Sequence, residues 1–140
     1  MTVIDWPASL FATVDGGPVS DPLDLTGRVR LLLHGPHQVL PAGLWRIRAR
    51  FRVRTEGAII PLRFEWGGMG ALTEATFPIE ASGDYEATLD HAWPVADGAA
   101  IRLWVARPTF GGQLTFLGAR AERLGEAPAQ SAPNQRSQSS

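Results

Sequence analysis

The sequence predicts an all-β fold, an antiparallel β-sandwich of jelly-roll type, on three observations. The 140-residue chain holds fifteen glycines and eleven prolines, and turn signals recur about every ten residues. Several segments alternate apolar and polar side chains, which is the period of a half-buried strand. No segment of helical length has apolar residues at helical spacing. Six to eight short strands separated in this way favour a sandwich over a helical or mixed fold.

The clearest strand is 44–54, where arginine occupies every second position from 46 to 54 and apolar residues lie between. Because successive side chains of a strand point to opposite faces, the arginines share one face, and a one-residue slip would bury them all. We expect carboxylates of neighbouring strands to neutralise this solvated face. The candidates are Glu65, Glu74, Glu80, Asp84, Glu86 and Asp90. The alternative is a free basic surface for an acidic ligand.

Other segments complete a single domain. Strands are predicted at 28–33, 58–66, 71–79, 83–93, 99–107 and 112–124, with a short leading strand at 9–14. Residues 34–43, with two prolines and two glycines, are predicted as a loop, and Pro61 predicts an edge position or a bulge. The expected organisation is a leading segment at 1–27 packed on the domain, the sandwich at 28–124, and a disordered tail at 125–140, rich in Ser, Gln, Pro and Ala.

Composition excludes several functions. The formal net charge is −1, so no overall field favours nucleic acid or an anionic membrane. All basic residues are arginine, as in proteins of GC-rich bacteria, and the absence of cysteine removes disulfides, thiol nucleophiles and thiolate metal sites. Neither a signal peptide nor an apolar run of the ~20 residues that span a bilayer is apparent. We expect a cytoplasmic protein by default; export without an N-terminal signal, or as part of a particle, stays open.

Catalytic motifs are missing. The sequence has no nucleophile elbow, phosphate-binding loop, dinucleotide fingerprint or zinc-protease motif. Two pairs of carboxylates are candidates for the two catalytic carboxylates of a glycosidase: Asp84 with Glu86, and Glu65 with Glu74. A zinc site could be posed on the three histidines, His34, His37 and His91. Nothing in the sequence places either set in a cleft. We predict no enzyme, no catalytic residue, no cofactor and no metal.

Tryptophans are the candidate ligand contacts, because an exposed indole can stack on a sugar ring or form a protein–protein hot spot. Trp66 ends a strand beside a glycine-rich break, Trp93 precedes a proline, and Trp104 points away from the apolar face of its strand. We predict these three as stacking residues. The predicted polar partners are Arg63, Arg102, Arg107, His34, His37 and Asp90, in loops at one end of the sandwich.

A family resemblance rests on "HGPHQVLPAGLWRIRARFRV" (34–53), "GDYEATL" (83–89) and "GGQLTFLGARAERL" (111–124). These segments resemble bacterial β-sandwich modules attached to, or encoded near, glycosyltransferases and surface-polysaccharide genes. Over 28–124 the chain is similar to carbohydrate-binding modules and galactose-binding-like sandwiches. In this sequence Leu44 and Trp45 stand where an aromatic usually follows the glycine directly, and His37 stands where tyrosine is common.

The resemblance implies a non-catalytic carbohydrate-recognition or accessory module in bacterial surface-glycan biology, with a polysaccharide or glycan as partner. The competing hypothesis is a structural or assembly subunit that docks on a larger enzyme or particle. Such a subunit would use an aromatic patch or an edge strand to bind a protein partner or a second copy of itself.

Overall fold

The computed structural model describes residues 2–19 and 22–128. Its strands are β1 (Val3–Trp6), β2 (Leu23–Asp24), β3 (Arg30–Leu40), β4 (Gly43–Arg54), β5 (Ile60–Gly67), β6 (Leu72–Ile79), β7 (Gly83–Trp93), β8 (Asp97–Val105) and β9 (Gln113–Gly125). Within these residues the helical structure is one 3₁₀ turn, Ala8–Leu10. No helix in the described ranges is long and apolar enough to cross a membrane.

The strands form two packed antiparallel sheets, which confirms the predicted sandwich. The β4 sheet has the order β1–β9–β4–β7, and β2 also pairs with β9. The β8 sheet has the order β3–β8–β5–β6. From β3 onward, each connection except the β5–β6 hairpin carries the chain from one sheet to the other. This alternation between sheets is the jelly-roll arrangement.

β4 is the central strand of its sheet because its alternating sequence supplies both a core face and a wet face. Trp45, Ile47, Ala49, Phe51 and Val53 are at most 2% exposed and face the other sheet. β4 pairs with β7 on one side and with β9 on the other over nearly its whole length. The predicted strand therefore forms, with its predicted apolar face in the core.

The arginine row of β4 is largely neutralised, as predicted. Arg46 makes two hydrogen bonds to Asp90 (2.8 and 3.1 Å), and Arg52 makes two to Asp84 (2.7 and 3.3 Å). Arg48 pairs with Glu86 on β7 and Glu122 on β9. Arg50 and Arg54 form no ion pair with the carboxylates in the described part of the chain. The face is thus solvated and mostly paired, not a free basic groove.

Two predicted segments differ from the structure. Residues 34–40 continue β3 and pair with β8, although the register shifts at Leu31–Leu33 and at Pro36–Gln38. Gly35 and Pro36, which usually form turns, lie at or beside the second register shift, and the strand continues past them. His37, within that shift, adopts a positive φ of 64°. The leading strand is β1, not 9–14, because residues 8–10 form the 3₁₀ turn.

Pro61 lies in a central strand, so the predicted edge or bulge is wrong. β5 runs between β8 and β6, and neither pairing shows a register shift. The position is tolerated because the β5–β8 pairing begins one residue later, at Leu62, while the Pro61 carbonyl accepts a hydrogen bond from Ala106 N (2.8 Å). Of the predicted leading segment, residues 3–6 and 23–24 are strands of the β4 sheet. Most of the predicted tail lies outside the described residues.

Candidate functional site

The outer face of the β8 sheet gathers four of the predicted site residues. Strand alternation turns Arg102 and Trp104 of β8 outward, while Ile101, Leu103 and Val105 enter the core. The register then sets two rows of side chains across the sheet. One row is Leu31, Trp104, Arg63 and Thr76, and the other is His34, Arg102, Glu65 and Glu74. We call these eight residues the Trp104 face.

Glu65 is the anchor of this face. Its Oε1 accepts a hydrogen bond from Trp104 Nε1 at 2.8 Å, and the residue is only 9% exposed although it lies on an outer face. The guanidinium carbon of Arg63 lies 4.9 Å from the centre of the Trp104 ring. A cation at that distance is attracted by the ring. Trp104 is therefore held in one orientation, half-buried, with part of its surface left to solvent.

Arg63 is incompletely satisfied. Its Nε lies 3.5 Å from Glu65 Oε2, yet it makes no hydrogen bond and is buried from solvent. The charge of Arg63 is balanced by Glu65 and by the ring of Trp104, but one donor stays unused. That donor is closed to solvent, so a ligand on this face would meet only the exposed part of the Arg63 side chain, which is 33% exposed.

Two histidines of β3 extend the face toward the end of the sandwich. His34 Nδ1 and His37 Nε2 are 2.9 Å apart, so one ring donates a hydrogen bond to the other. Burial lowers the pKa of His37 below the usual 6.5 of histidine, and the charges of His34 and Arg102 lower this pKa further. His37 and Arg102 line a common cavity of about 60 Å³. The structure thus brings together three of the predicted polar partners, His34, His37 and Arg102.

Trp66 and Trp93 are core residues, so their predicted role as surface platforms for stacking is wrong. Their exposed fractions are 0% and 2%. Trp66 points inward with Leu62 and Phe64, and its Nε1 donates to the carbonyl of Trp45 at 3.1 Å. The two indoles pack edge to face, with ring centres 4.9 Å apart. Neither ring offers a face to a ligand in this conformation.

Asp90 and Arg107 lie apart from the Trp104 face. Asp90 is on the outer face of the β4 sheet, where Arg46 occupies both of its oxygens. Arg107 is an exposed residue of the connection after β8. The predicted cluster of loops at one end is therefore replaced by a sheet face. His34, Arg63, Arg102 and Trp104 belong to it, and His37 borders it.

The structure does not assemble the posed zinc site. His91 contacts Thr73 of β6 (2.9 Å), while His34 belongs to β3 at the opposite edge of the β8 sheet. No group of three or more His, Asp or Glu side chains that could hold a metal occurs within 2–19 and 22–128. The posed carboxylate pairs do form neighbours: Glu65 lies opposite Glu74, and Asp84 and Glu86 bind arginines of β4.

A larger cavity, of about 550 Å³, lies beyond the β3 edge. It is lined by Leu31 together with Asp15, Asp24, Arg28 and Arg30, among others. Leu31 is also the cross-strand neighbour of Trp104. The Trp104 face is therefore continuous, through Leu31, with a recess that has mixed charges.

Glu65 and Thr76 are contacts that sequence reasoning did not assign to a binding site. Their outward positions could be read from strand alternation, because each follows an inward residue of its strand. The bond between Glu65 and Trp104 could not, because it depends on the register between β5 and β8.

Comparisons with known proteins identify the fold. No protein-family model and no curated protein matches the chain. Among solved structures it is similar to a chain of a glycosylation-associated protein complex from Streptococcus agalactiae, at 10% identity with a TM-score of 0.52. That match covers 86% of this chain and 25% of the other, so this chain spans a quarter of the streptococcal one.

Two carbohydrate-binding modules are further neighbours. The C-terminal family 6 module of a marine laminarinase from Zobellia galactanivorans has 11% identity and a TM-score of 0.47, covering 87% of this chain and all of that one. A family 35 module from Clostridium thermocellum has 9% identity and a TM-score of 0.43, covering 88% and 99%. At these identities and TM-scores the two modules add nothing beyond the fold, and the predicted resemblance stays a prediction.

Proposed function

We propose that the chain is a non-catalytic carbohydrate-recognition module and that the Trp104 face binds the saccharide. The observation that carries the proposal is the fixed Trp104 ring, partly exposed on a sheet face and surrounded by outward polar groups. An aromatic ring offers apolar surface to the C–H groups of a sugar. The donors of Arg63 and Arg102, with the hydroxyl of Thr76, would bind the sugar's oxygens.

A catalytic role is less well supported by the same side chains. Glu65 accepts a hydrogen bond from Trp104 and lies beside Arg63. Asp84 and Glu86 are paired with Arg52 and Arg48. A catalytic carboxyl must be free to contact the reacting group, and these three are engaged by protein donors. We therefore place these carboxylates in structural roles.

The surface-glycan setting is part of the proposal. The sequence resembles modules encoded near surface-polysaccharide genes, and the fold is shared with a chain from a glycosylation-associated complex. A bacterial glycan is accordingly the first class of ligand to test.

A glycan array followed by calorimetric titration tests the proposal. Trp104→Ala should weaken the best saccharide about tenfold or more, since stacking and the buried ring area together are worth over 1.4 kcal/mol. Trp104→Phe, which keeps a ring, should lose less. Arg120→Ala is the matched control, because Arg120 lies on the outer face of the other sheet and pairs with Asp5.

Equal affinity in Trp104→Ala and the native chain would contradict this site. The assembly hypothesis draws on Phe110, which is 95% exposed on a loop held by two hydrogen bonds between Gly27 and Thr109. Absence of binding to every glycan, together with a stable oligomer by light scattering, would favour that role.

A further inference from the structure

A small cavity where the Trp104 face meets the end of the sandwich has an unusual lining. His37 and Arg102 are its titratable and charged residues, and its other walls are apolar side chains and glycines. Its volume of about 60 Å³ is far below that of a sugar ring. It has room for a few waters or for a small polar group such as a carboxylate. None of the described residues that line it is a carboxylate.

The guanidinium of Arg102 is available to a ligand at this cavity. Arg102 pairs with none of the carboxylates among residues 2–19 and 22–128. Glu65, its neighbour on β5, is bound by Trp104, and Glu74 lies one strand further away on β6. Asp97 turns its oxygens to the backbone amides of Gly98 (2.8 Å) and Met69 (3.4 Å). The described acids near Arg102 are therefore engaged elsewhere or more distant.

The spacing connects this cavity to the proposed sugar site. Arg102 and Trp104 point to the same side of β8 two residues apart, a distance of ~7 Å. A saccharide unit on Trp104 would place the substituents of its neighbour over Arg102. The hydrogen bond between His34 and His37 holds the His37 ring close to the same point.

We propose that this cavity binds the anionic group of an acidic saccharide, a carboxylate or a sulfate or phosphate ester, between Arg102 and His37. The inference rests on the proposed function of the Trp104 face and specifies its ligand class. A guanidinium binds such oxyanions with two parallel hydrogen bonds, and these are stronger than bonds to neutral hydroxyls. A protonated imidazole adds a third donor.

The two histidines make this binding dependent on pH. In the free protein, burial and the charges of His34 and Arg102 disfavour a proton on His37. A bound anion offsets that repulsion, so binding of the anion and of the proton favour each other. The charged groups that face His37 are His34 on its own strand and Arg102 on β8. Affinity for acidic saccharides therefore rises as the pH falls through the histidine range, while affinity for neutral ones does not.

Titration with neutral, uronate-containing and sulfated oligosaccharides of equal length, at pH 5.5 and 7.5 and constant ionic strength, tests this. The acidic ligands should bind about tenfold more tightly at pH 5.5, consistent with one charge-assisted contact. The uronate and sulfated ligands distinguish the two sources of charge. Arg102→Gln should bring the acidic-to-neutral affinity ratio close to one. His37→Asn, which suits the positive φ, should remove the pH dependence of that ratio. Arg107→Gln is the control.

An unchanged ratio in Arg102→Gln, or equal affinities for acidic and neutral ligands, would overturn the inference while leaving the proposed function standing. Histidine NMR provides an independent readout, because the chain has three histidines and the signal of each can be followed separately. Added glucuronate or sulfate should raise the pKa of His37 and leave that of His91 unchanged. No shift with either anion overturns the inference, whereas a shift without any oligosaccharide binding overturns only the proposed function.

Discussion

Replacing Glu65 is the most direct test of how the Trp104 face is built, because one carboxylate fixes two of its side chains. Glu65→Ala removes the acceptor of the Trp104 Nε1 bond (2.8 Å) and the counter-charge of Arg63, whose Nε already lacks a hydrogen bond. Both losses occur at a residue that is 9% exposed. The variant thus leaves the Trp104 donor without its acceptor and the Arg63 charge without its counter-charge, on a face that solvent reaches only in part.

The size of the effect follows from those contacts. Loss of a hydrogen bond to a charged group costs about 1.5–3 kcal/mol. Breaking a fully buried ion pair would cost about 3–5 kcal/mol, but the Arg63 side chain is 33% exposed and solvent screens its charge. We therefore expect the free energy of unfolding to fall by about 2–3 kcal/mol. For a domain of this size, that lowers Tm by roughly 6–15 °C.

Urea unfolding of the native chain, Glu65→Ala, Trp104→Phe and the double variant measures the contact. The double-mutant cycle should give a coupling energy of about 1–2 kcal/mol between the two side chains. Glu65→Gln keeps an oxygen that can accept from Trp104 and should lose less stability than Glu65→Ala. The reasoning fails if Glu65→Ala stays within about 0.5 kcal/mol of the native chain, the usual range of a plain surface substitution, or if the two substitutions are additive.

Two further predictions concern the scaffold. A Cβ at Gly67 would lie 2.3 Å from the carbonyl oxygen of Ala71, so Gly67→Ala should lower the free energy of unfolding by about 1–3 kcal/mol. Gly70→Ala, in open space, should have little effect in the same urea titration, and equal effects would contradict the packing argument. Burial lowers the pKa of His91, and burial with nearby charge lowers that of His37, so the unfolded chain binds protons more readily below pH 6.5. The free energy of unfolding should therefore rise with pH through that range and fall on acidification to pH 5. The fall should be smaller in His91→Gln. A urea midpoint that does not change with pH would refute this prediction.

The strands were predictable where the alternation of side chains was unbroken. β4, β6 and β7 have the expected positions because each has an uninterrupted period of two. The sequence predicts that the strand at 28–33 ends before residue 34, because glycine and proline usually mark a turn. In the structure, cross-strand pairing with β8 keeps that stretch extended and places its irregularity in two register shifts. Tertiary pairing thus outweighs a local turn preference.

The site was predictable in its residue types but not in its location. The alternation that placed Trp104 opposite the apolar residues of β8 identified an outward aromatic residue correctly. The same alternation placed Trp66 with Leu62 and Phe64, and its burial follows from that pattern more than from its position beside a glycine-rich turn. The proximity of Glu65 to Trp104 joins residues 39 positions apart. That distance is fixed by the register between β5 and β8, and this register cannot be read from a single sequence.

The order of strands in the β4 sheet has a consequence for the growing chain. β9 follows the other eight described strands in the chain, yet it lies between β1 and β4. Until it emerges from the ribosome, β4 has at least one unpaired edge, and an exposed apolar strand edge is a template for aggregation. Arg48 lacks its Glu122 partner at that stage, and Arg50 and Arg54 have no partner among the described carboxylates. Two nascent copies aligned along β4 would bring like charges together, so the same row that is neutralised in the folded protein would keep unfinished chains apart.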